Sequence, residues 1–233
     1  MSRHFVLLSR TGRTDARFHS LREGGRLDIV YQCALFALFR AHGHRKDTVF
    51  TACLAGPPRP PLAMSISGSH LRNVRIDERT WECALREVLS QKPYPGFSVS
   101  RQSFQDVVRT AGEVYVLHEG GEPIENIPIG NDPCFVLGDH VGLPKKDEAF
   151  ALRFGKKVSL GKNRSYLASF CISAIQYILD KREDATEGTE GPVGTGLSKD
   201  ALRGTESPSK GKGPGRSTRL TSPSTSFGKT KSL

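Results

Sequence analysis

Several signatures of common catalytic chemistries are missing from this 233-residue chain. No CxxC pair and no HExxH occurs, which excludes the usual cysteine zinc sites and zincin-type hydrolysis. His42 and His44 lie two apart without a third ligand nearby in sequence, so a solvated helix end explains them and no metal is expected. There is no GxSxG elbow, no Walker GxxxxGK[ST], and no GxGxxG after the first strand. Serine-hydrolase, P-loop and ordinary dinucleotide-binding readings therefore have no support. No apolar run reaches the ~18 residues that a membrane-spanning helix needs, and no signal peptide is visible. The five cysteines, Cys33, Cys53, Cys83, Cys134 and Cys171, all sit in apolar segments and read as small hydrophobes. A reducing compartment, the cytoplasm, is the expected location.

Aromatic residues also run out. From residue 183 to the end the only one is Phe227, in a segment rich in Gly, Ser, Thr, Pro and Lys. Such a segment buries too little apolar surface to offset its ordering entropy. The expectation is one domain over residues 1–182 and a disordered basic tail over 183–233. From Ala201 onward seven Lys and Arg face Glu206 alone, which places six units of the net +10 there. A basic arm of this kind suits weak, salt-dependent contact with a polyanion.

What is present is an alternation of short apolar runs and turns. Cys134-Phe-Val-Leu137 is bounded by Pro133 and Gly138, as a strand covered on both faces would be. Glu113–Leu117 runs into His118-Glu-Gly-Gly121, and Lys156–Leu160 runs into Gly161. Asp139 and His140 follow directly on Gly138. Ligands bind at the carboxyl ends of strands in open α/β sheets, so three glycine exits predict one shared pocket. His4–Leu8 and Thr48–Leu54 predict two more strands, and residues 62–66 and 69–74 a hairpin across Gly68. Helices are expected from Arg26 to His42 with Gly43 as the C-terminal cap, from an Asp77 cap to Ser90, over 104–108 and 147–152, and from Tyr166 to Lys181. Trp81 falls on the apolar stripe of its helix and is expected in the core. Asp28 falls in a first helical turn, where a carboxylate is favourable. Alternating strands and helices predict an α/β layer fold with a mainly parallel sheet.

Gly25-Arg-Leu-Asp28, Gly43-His-Arg-Lys-Asp-Thr48, Gly56-Pro-Pro-Arg-Pro-Pro61, Phe135-Val-Leu-Gly-Asp-His140, and Val158-Ser-Leu-Gly161 followed by Leu167-Ala-Ser-Phe-Cys171 form an ordered set. In this order they resemble the tRNA pseudouridine(54) N1-methyltransferases, members of the knotted SPOUT class, over roughly residues 2–182. The spacing through Lys162-Asn-Arg-Ser165 is slightly longer than the family's, and the tail has no counterpart in its compact archaeal members.

The resemblance implies a sheet-and-helix domain with a C-terminal trefoil knot, an exception to the rule of unknotted chains. It implies S-adenosyl-L-methionine as cofactor, held by Leu117, by Leu137 and Gly138, and by Ser159, Leu160, Gly161, Leu167 and Cys171. It implies tRNA as partner, Arg59 as an RNA contact, and a homodimer with its seam on the Tyr166–Lys181 helix. Methylating N1 of pseudouridine requires loss of its proton or stabilisation of its anion. Asp28 and Arg26 are the candidates for those tasks. Two alternatives stay open at this point: a knotted rRNA methyltransferase, and a non-catalytic RNA-binding protein that kept the fold.

Overall fold

The computed structural model describes residues 1–161 and 164–187. Of the basic tail expected from residue 183, only 183–187 are described, and they are helical; the remainder lies outside the described residues.

Strand β1 (Arg3–Ser9) is the centre of a seven-stranded sheet. It pairs in parallel with β4 (Thr48–Leu54) on one side and β8 (Pro133–Gly138) on the other. Beyond β8 come β7 (Glu113–Pro123) and β9 (Gly155–Ser159), both parallel. Beyond β4 the sheet turns antiparallel through β5 (Leu62–Ser67) and β6 (Phe97–Ser100). The strand order is β6-β5-β4-β1-β8-β7-β9. The expected α/β architecture, a mainly parallel sheet flanked by helices, is present.

The period-two alternation of strands sorts the apolar residues into two cores. Phe5 and Leu7 enter one with helices α1 (Leu27–Leu38), α2 (Glu78–Leu89) and α5 (Ala168–Glu187). Val6 and Leu8 enter the other with α3 (Phe104–Arg109) and α4 (Lys145–Ala151). Phe5, Phe135 and Tyr115 stack across three adjacent strands, their ring centroids 5.4 and 5.3 Å apart. Asp77 caps α2 by accepting from Thr80 N at 2.8 Å, and Trp81 is fully buried with its indole N–H on Arg75 O, both as expected.

Four expectations need correction. Helix α1 stops at Leu38, not His42, and Gly43 is not its cap. Phe39 turns extended and leads a two-residue strand β2 (Phe39–Arg40) against β3 (Gly43–His44). The Arg45 N–H takes Leu38 O at 2.7 Å, so a hairpin rather than a glycine cap satisfies that helix end. Next, residues 69–74 form no strand. Gly68 is pressed onto the Arg45 carbonyl, where a Cβ would lie 2.0 Å away, and the chain leaves the sheet; β6 takes the place beside β5. Third, β7 does not end at Leu117. It resumes against β9 after a register shift between Leu117 and Glu122, so residues 118–121 bulge out. Finally, α5 starts at Ala168 and runs to Glu187, leaving Tyr166 and Leu167 ahead of it.

The amino-terminal end of β1 anchors α5. Arg3 has no exposed surface, and its guanidinium donates to Gln176, Asp180 and Glu183, each at 2.6 Å. Arg45 donates to both carboxylate oxygens of Asp180, at 2.8 and 2.6 Å. Farther along, the Arg182 guanidinium donates to the carbonyls of Ile124, Glu125 and Ile127. Helix α5 is thereby held between α1 and the segment that links β7 to β8. Among the described residues, no helix is long and apolar enough to cross a membrane.

Candidate active site

The carboxyl ends of β7, β8 and β9 open into a cleft of about 830 Å³. That volume suits a small-molecule site, for which roughly 300–1,000 Å³ is usual. Leu117, Leu137, Leu160, Leu167 and Val141 give it apolar walls, and Cys171 faces it from the first turn of α5. Burial pushes the Cys171 thiol up to about 11, so it is a neutral wall rather than a nucleophile. The β7 bulge supplies His118 and Glu119. The Ser159 hydroxyl donates to Gly121 O at 3.0 Å and pins this bulge. Gly120 N donates to His118 Nδ1 at 2.9 Å, which leaves the ring proton on Nε2, toward Glu148 Oε1 at 3.9 Å. Lys157 Nζ lies 2.6 Å from the same Glu148 oxygen.

The floor is held by Asp139, which is buried at the end of β8. One of its carboxylate oxygens accepts from Val141 N at 2.9 Å and the other from Arg10 N at 2.8 Å. It thus ties the loop after β8 to the loop after β1. That second loop packs tightly on itself, with Arg13 N on Gly24 O and Thr11 Oγ1 on Gly25 O, and delivers the chain to α1. Arg26 sits at the junction in the left-handed region, φ 67° and ψ 37°, and its side chain lines the cleft. Its guanidinium grips Asp28 through Nε to Oδ1 at 3.0 Å and Nη2 to Oδ2 at 3.1 Å. The hydrogen bond to Asp28 raises the Arg26 pKa further, keeping a fixed positive charge at the rim.

A second hollow, of about 540 Å³, lies beside β6. Its lining carries no carboxylate, imidazole or thiol, so no acid–base chemistry is available there.

Residues 2–184 match the model of the family described as "Putative SAM-dependent RNA methyltransferase". The chain is 34% identical over 193 residues to the tRNA (pseudouridine(54)-N(1))-methyltransferase of Methanocella arvoryzae, covering 77% of this chain and all of that protein. It is 37% identical over 198 residues to the enzyme of the same name from Thermococcus kodakarensis, covering 76% of this chain and 98% of that one. The chain belongs to the tRNA pseudouridine(54) N1-methyltransferase family. Among solved structures, Archaeoglobus fulgidus Nep1 bound to S-adenosylhomocysteine superposes with a TM-score of 0.59 at 15% identity, over 79% of this chain and all of that chain, which shows a shared fold.

Of the residues that family resemblance nominated, Arg26, Leu117, Leu137, Gly138, Ser159, Leu160, Leu167 and Cys171 all line the one cleft. Asp28 stands behind Arg26 and Gly161 just beyond the wall. Arg59 lies elsewhere, in the link between β4 and β5. The sequence reading missed Glu148 and Lys157, which α4 and β9 bring together. Nor did it anticipate that Asp139 would be tethered to Arg10 across 129 residues. A carboxylate directly after a buried strand was the available sign for Asp139; Glu148 had none.

Gly138 has a different reason than ligand space. A Cβ there would lie 2.2 Å from Gly142 C and Leu143 N, so the strand exit needs glycine because its own loop folds back on it. Gly138→Val is therefore expected to displace residues 139–143 and weaken S-adenosylhomocysteine binding at least tenfold, with a stability cost of about 1–3 kcal/mol. Titration calorimetry beside a thermal melt checks this; wild-type affinity would show that this loop is no part of the ligand site.

Proposed function

We propose that this protein transfers a methyl group from S-adenosyl-L-methionine to N1 of pseudouridine 54 in the T loop of tRNA. The observation that carries the reading is the convergence of three parallel-strand exits on one cleft with a fixed cation, Arg26, at its rim. The cleft fits the donor, offering leucine walls for an adenine face and loop backbone for its polar edge. Leu117, Leu137, Gly138, Leu160, Leu167 and Cys171 are the residues proposed to hold it, with Ser159 acting through the bulge. When bound, S-adenosylmethionine supplies an electrophilic methyl on sulfur.

This chain's residues act on the acceptor. N1 gives its proton to solvent water, which leaves negative charge on the uracil edge, and takes the methyl carbon as the carbon–sulfur bond of the donor breaks and S-adenosylhomocysteine leaves. Arg26 stabilises that charge, in a site where a preoriented donor counts for more than in water. Asp28 is proposed as the positioning residue: both its oxygens already hold Arg26, which leaves it poorly placed to take the N1 proton directly.

The chain path supports a knot. From β9 at the sheet edge it returns to α5, packed on α1, and the 124–127 carbonyls close over Arg182. Exposed Phe170 and Tyr177 of α5, with Leu167 just ahead of it and Phe36 of α1, form an apolar outer face, which supports the homodimer seam there. A cytoplasmic location and operation without a metal complete the reading, with residues 1–182 plus the end of α5 as the catalytic domain.

Incubating the purified protein with S-adenosylmethionine and a pseudouridine-54 tRNA transcript is expected to yield N1-methylpseudouridine by nucleoside mass spectrometry. The same transcript with uridine at that position, and an rRNA fragment containing pseudouridine, should give none. Product only on the rRNA would overturn the tRNA assignment; no product and no cofactor binding would favour a non-catalytic RNA binder.

A further inference from the structure

Six strands end at one edge of this sheet and β5 begins there, with chemistry on only part of that edge. The cleft occupies the exits of β8, β7 and β9. The other half of the same edge is formed by Ser9 of β1, Leu54 of β4, Leu62 of β5 and Ser100 of β6, because antiparallel pairing brings the start of β5 and the end of β6 to the side where β1 and β4 finish. An arginine follows in each available link: Arg10 after β1, Arg59 between β4 and β5, and Arg101 after β6. All three are exposed.

These arginines stand apart from those already paired within the fold. Arg3, Arg13, Arg26, Arg40, Arg45, Arg86 and Arg109 each hold a carboxylate. Arg10, Arg59 and Arg101 have no carboxylate partner among the described residues, so their charge is available to a ligand. The links that carry them are also fixed to one another. Ala55 N bonds Ser9 O at 2.9 Å and Gly56 N bonds Gly12 O at 3.0 Å. Thr14 N bonds Pro57 O at 2.9 Å, and the Thr14 hydroxyl receives Arg59 N at 2.9 Å. The Arg101 side chain reaches the Arg59 carbonyl. A Cβ on Gly56 would lie 2.2 Å from Thr11 O, so the two loops touch backbone to backbone. The result is a rigid row of positive charge across three strand spacings, about 14 Å. It leads through Arg10, whose N–H shares Asp139 with the cleft floor, to Arg26.

We propose that this half of the edge is a track for the phosphate backbone of the substrate RNA, running from Arg101 through Arg59 and Arg10 into the cleft. The inference rests on the function proposed above but names a surface beyond it: family resemblance reached Arg59 alone, and the topology adds Arg10 and Arg101. Contacts of this kind hold and orient RNA without reading its sequence.

The test uses the full chain and two tRNA transcripts, one with pseudouridine and one with uridine at position 54. Affinity is measured from low to moderate salt for wild type and for Arg10→Gln, Arg59→Gln and Arg101→Gln, singly and together. Each substitution is expected to reduce the slope of log affinity against log salt by about 0.7–0.9, equally for both transcripts. The triple variant should raise KM for tRNA on the order of tenfold or more, while S-adenosylhomocysteine affinity and thermal midpoint stay at wild-type values. Arginine-to-lysine variants should keep the slope. A triple variant with an unchanged slope and melting temperature overturns the track and leaves the methyltransfer reading intact. A wild type that binds both transcripts through these arginines yet methylates neither overturns the enzymatic reading and leaves the track. A wild type without RNA affinity overturns both.

Discussion

Arg26→Gln should lower turnover on pseudouridine-54 tRNA about 10²-fold, or about 2.7 kcal/mol in the transition state, with little change in S-adenosylhomocysteine affinity. The side chain lines the cleft and Asp28 holds it by two hydrogen bonds, so its charge stays where anionic character would develop on the uracil edge. Glutamine keeps much of the length and a donor but removes the charge. As a ground-state contact alone, Arg26 would appear in KM for tRNA and leave kcat within a few-fold. Loss in kcat with KM nearly constant is the signature of stabilisation made in the transition state. Asp28→Asn should fall between wild type and Arg26→Gln, because asparagine can still accept one of the two hydrogen bonds. Single-turnover rates at saturating tRNA and cofactor separate the cases; a rate within threefold of wild type for Arg26→Gln removes it from the mechanism.

The largest stability effect is expected far from the cleft, at Asp180. Its carboxylate receives hydrogen bonds from Arg3 and Arg45 and lies 3.4 Å from Arg40. Arg3 is wholly buried and Arg45 nearly so. Asp180→Asn removes the counter-charge they share, and stranding buried charge in this way costs several kcal/mol. Glu183, Gln176 and Asp47 still face Arg3, so about 3 kcal/mol is expected, or roughly 6–12 °C in Tm for a domain of this size. The pH dependence has a definite sign. Burial opposes ionisation of Asp180, but the hydrogen bonds from Arg45 and Arg3 outweigh it and hold the group at about 2. An unfolded aspartate titrates near 3.9. The stabilisation is therefore complete above about pH 4 and fades as pH falls from there toward about 2. Wild type and Asp180→Asn should converge in Tm across that window. Midpoints within 2 °C of each other at pH 7 would show that the network contributes little.

Buried strands were legible because they announce themselves locally. Cys134–Leu137 is a short apolar run between a proline and a glycine, His4–Leu8 one between polar residues, and both lie in the sheet where expected. The pocket was legible for a related reason: glycine exits from parallel strands converge at one sheet edge whatever the helices do. Helix α1 was overextended because Phe39 and Ala41 continue a helix-like apolar pattern, and nothing local reveals that Arg45 takes the Leu38 carbonyl. Arg3 gave no sign at all. Its partners Asp180 and Glu183 lie 177 and 180 residues away, and a single arginine beside a strand reads as surface. Gly138 was recognised for an approach it does make, but the approaching group is the chain's own backbone, a distinction that only the folded loop reveals.

The left-handed backbone at Arg26 has a consequence for anyone breeding this protein for heat resistance. A non-glycine residue at φ 67° costs on the order of 1 kcal/mol, and its partner Asp28 is a half-exposed ion pair that returns little of it. Glycine at position 26 relieves that cost. A selection scored only on residual fold after heating would therefore enrich Arg26→Gly, and the winners would be sturdy proteins that no longer mark their RNA. Screening for heat and for methylated nucleoside together would hold arginine in place, and the disagreement between the two screens would measure how much stability the chain gives up at this one residue for its chemistry.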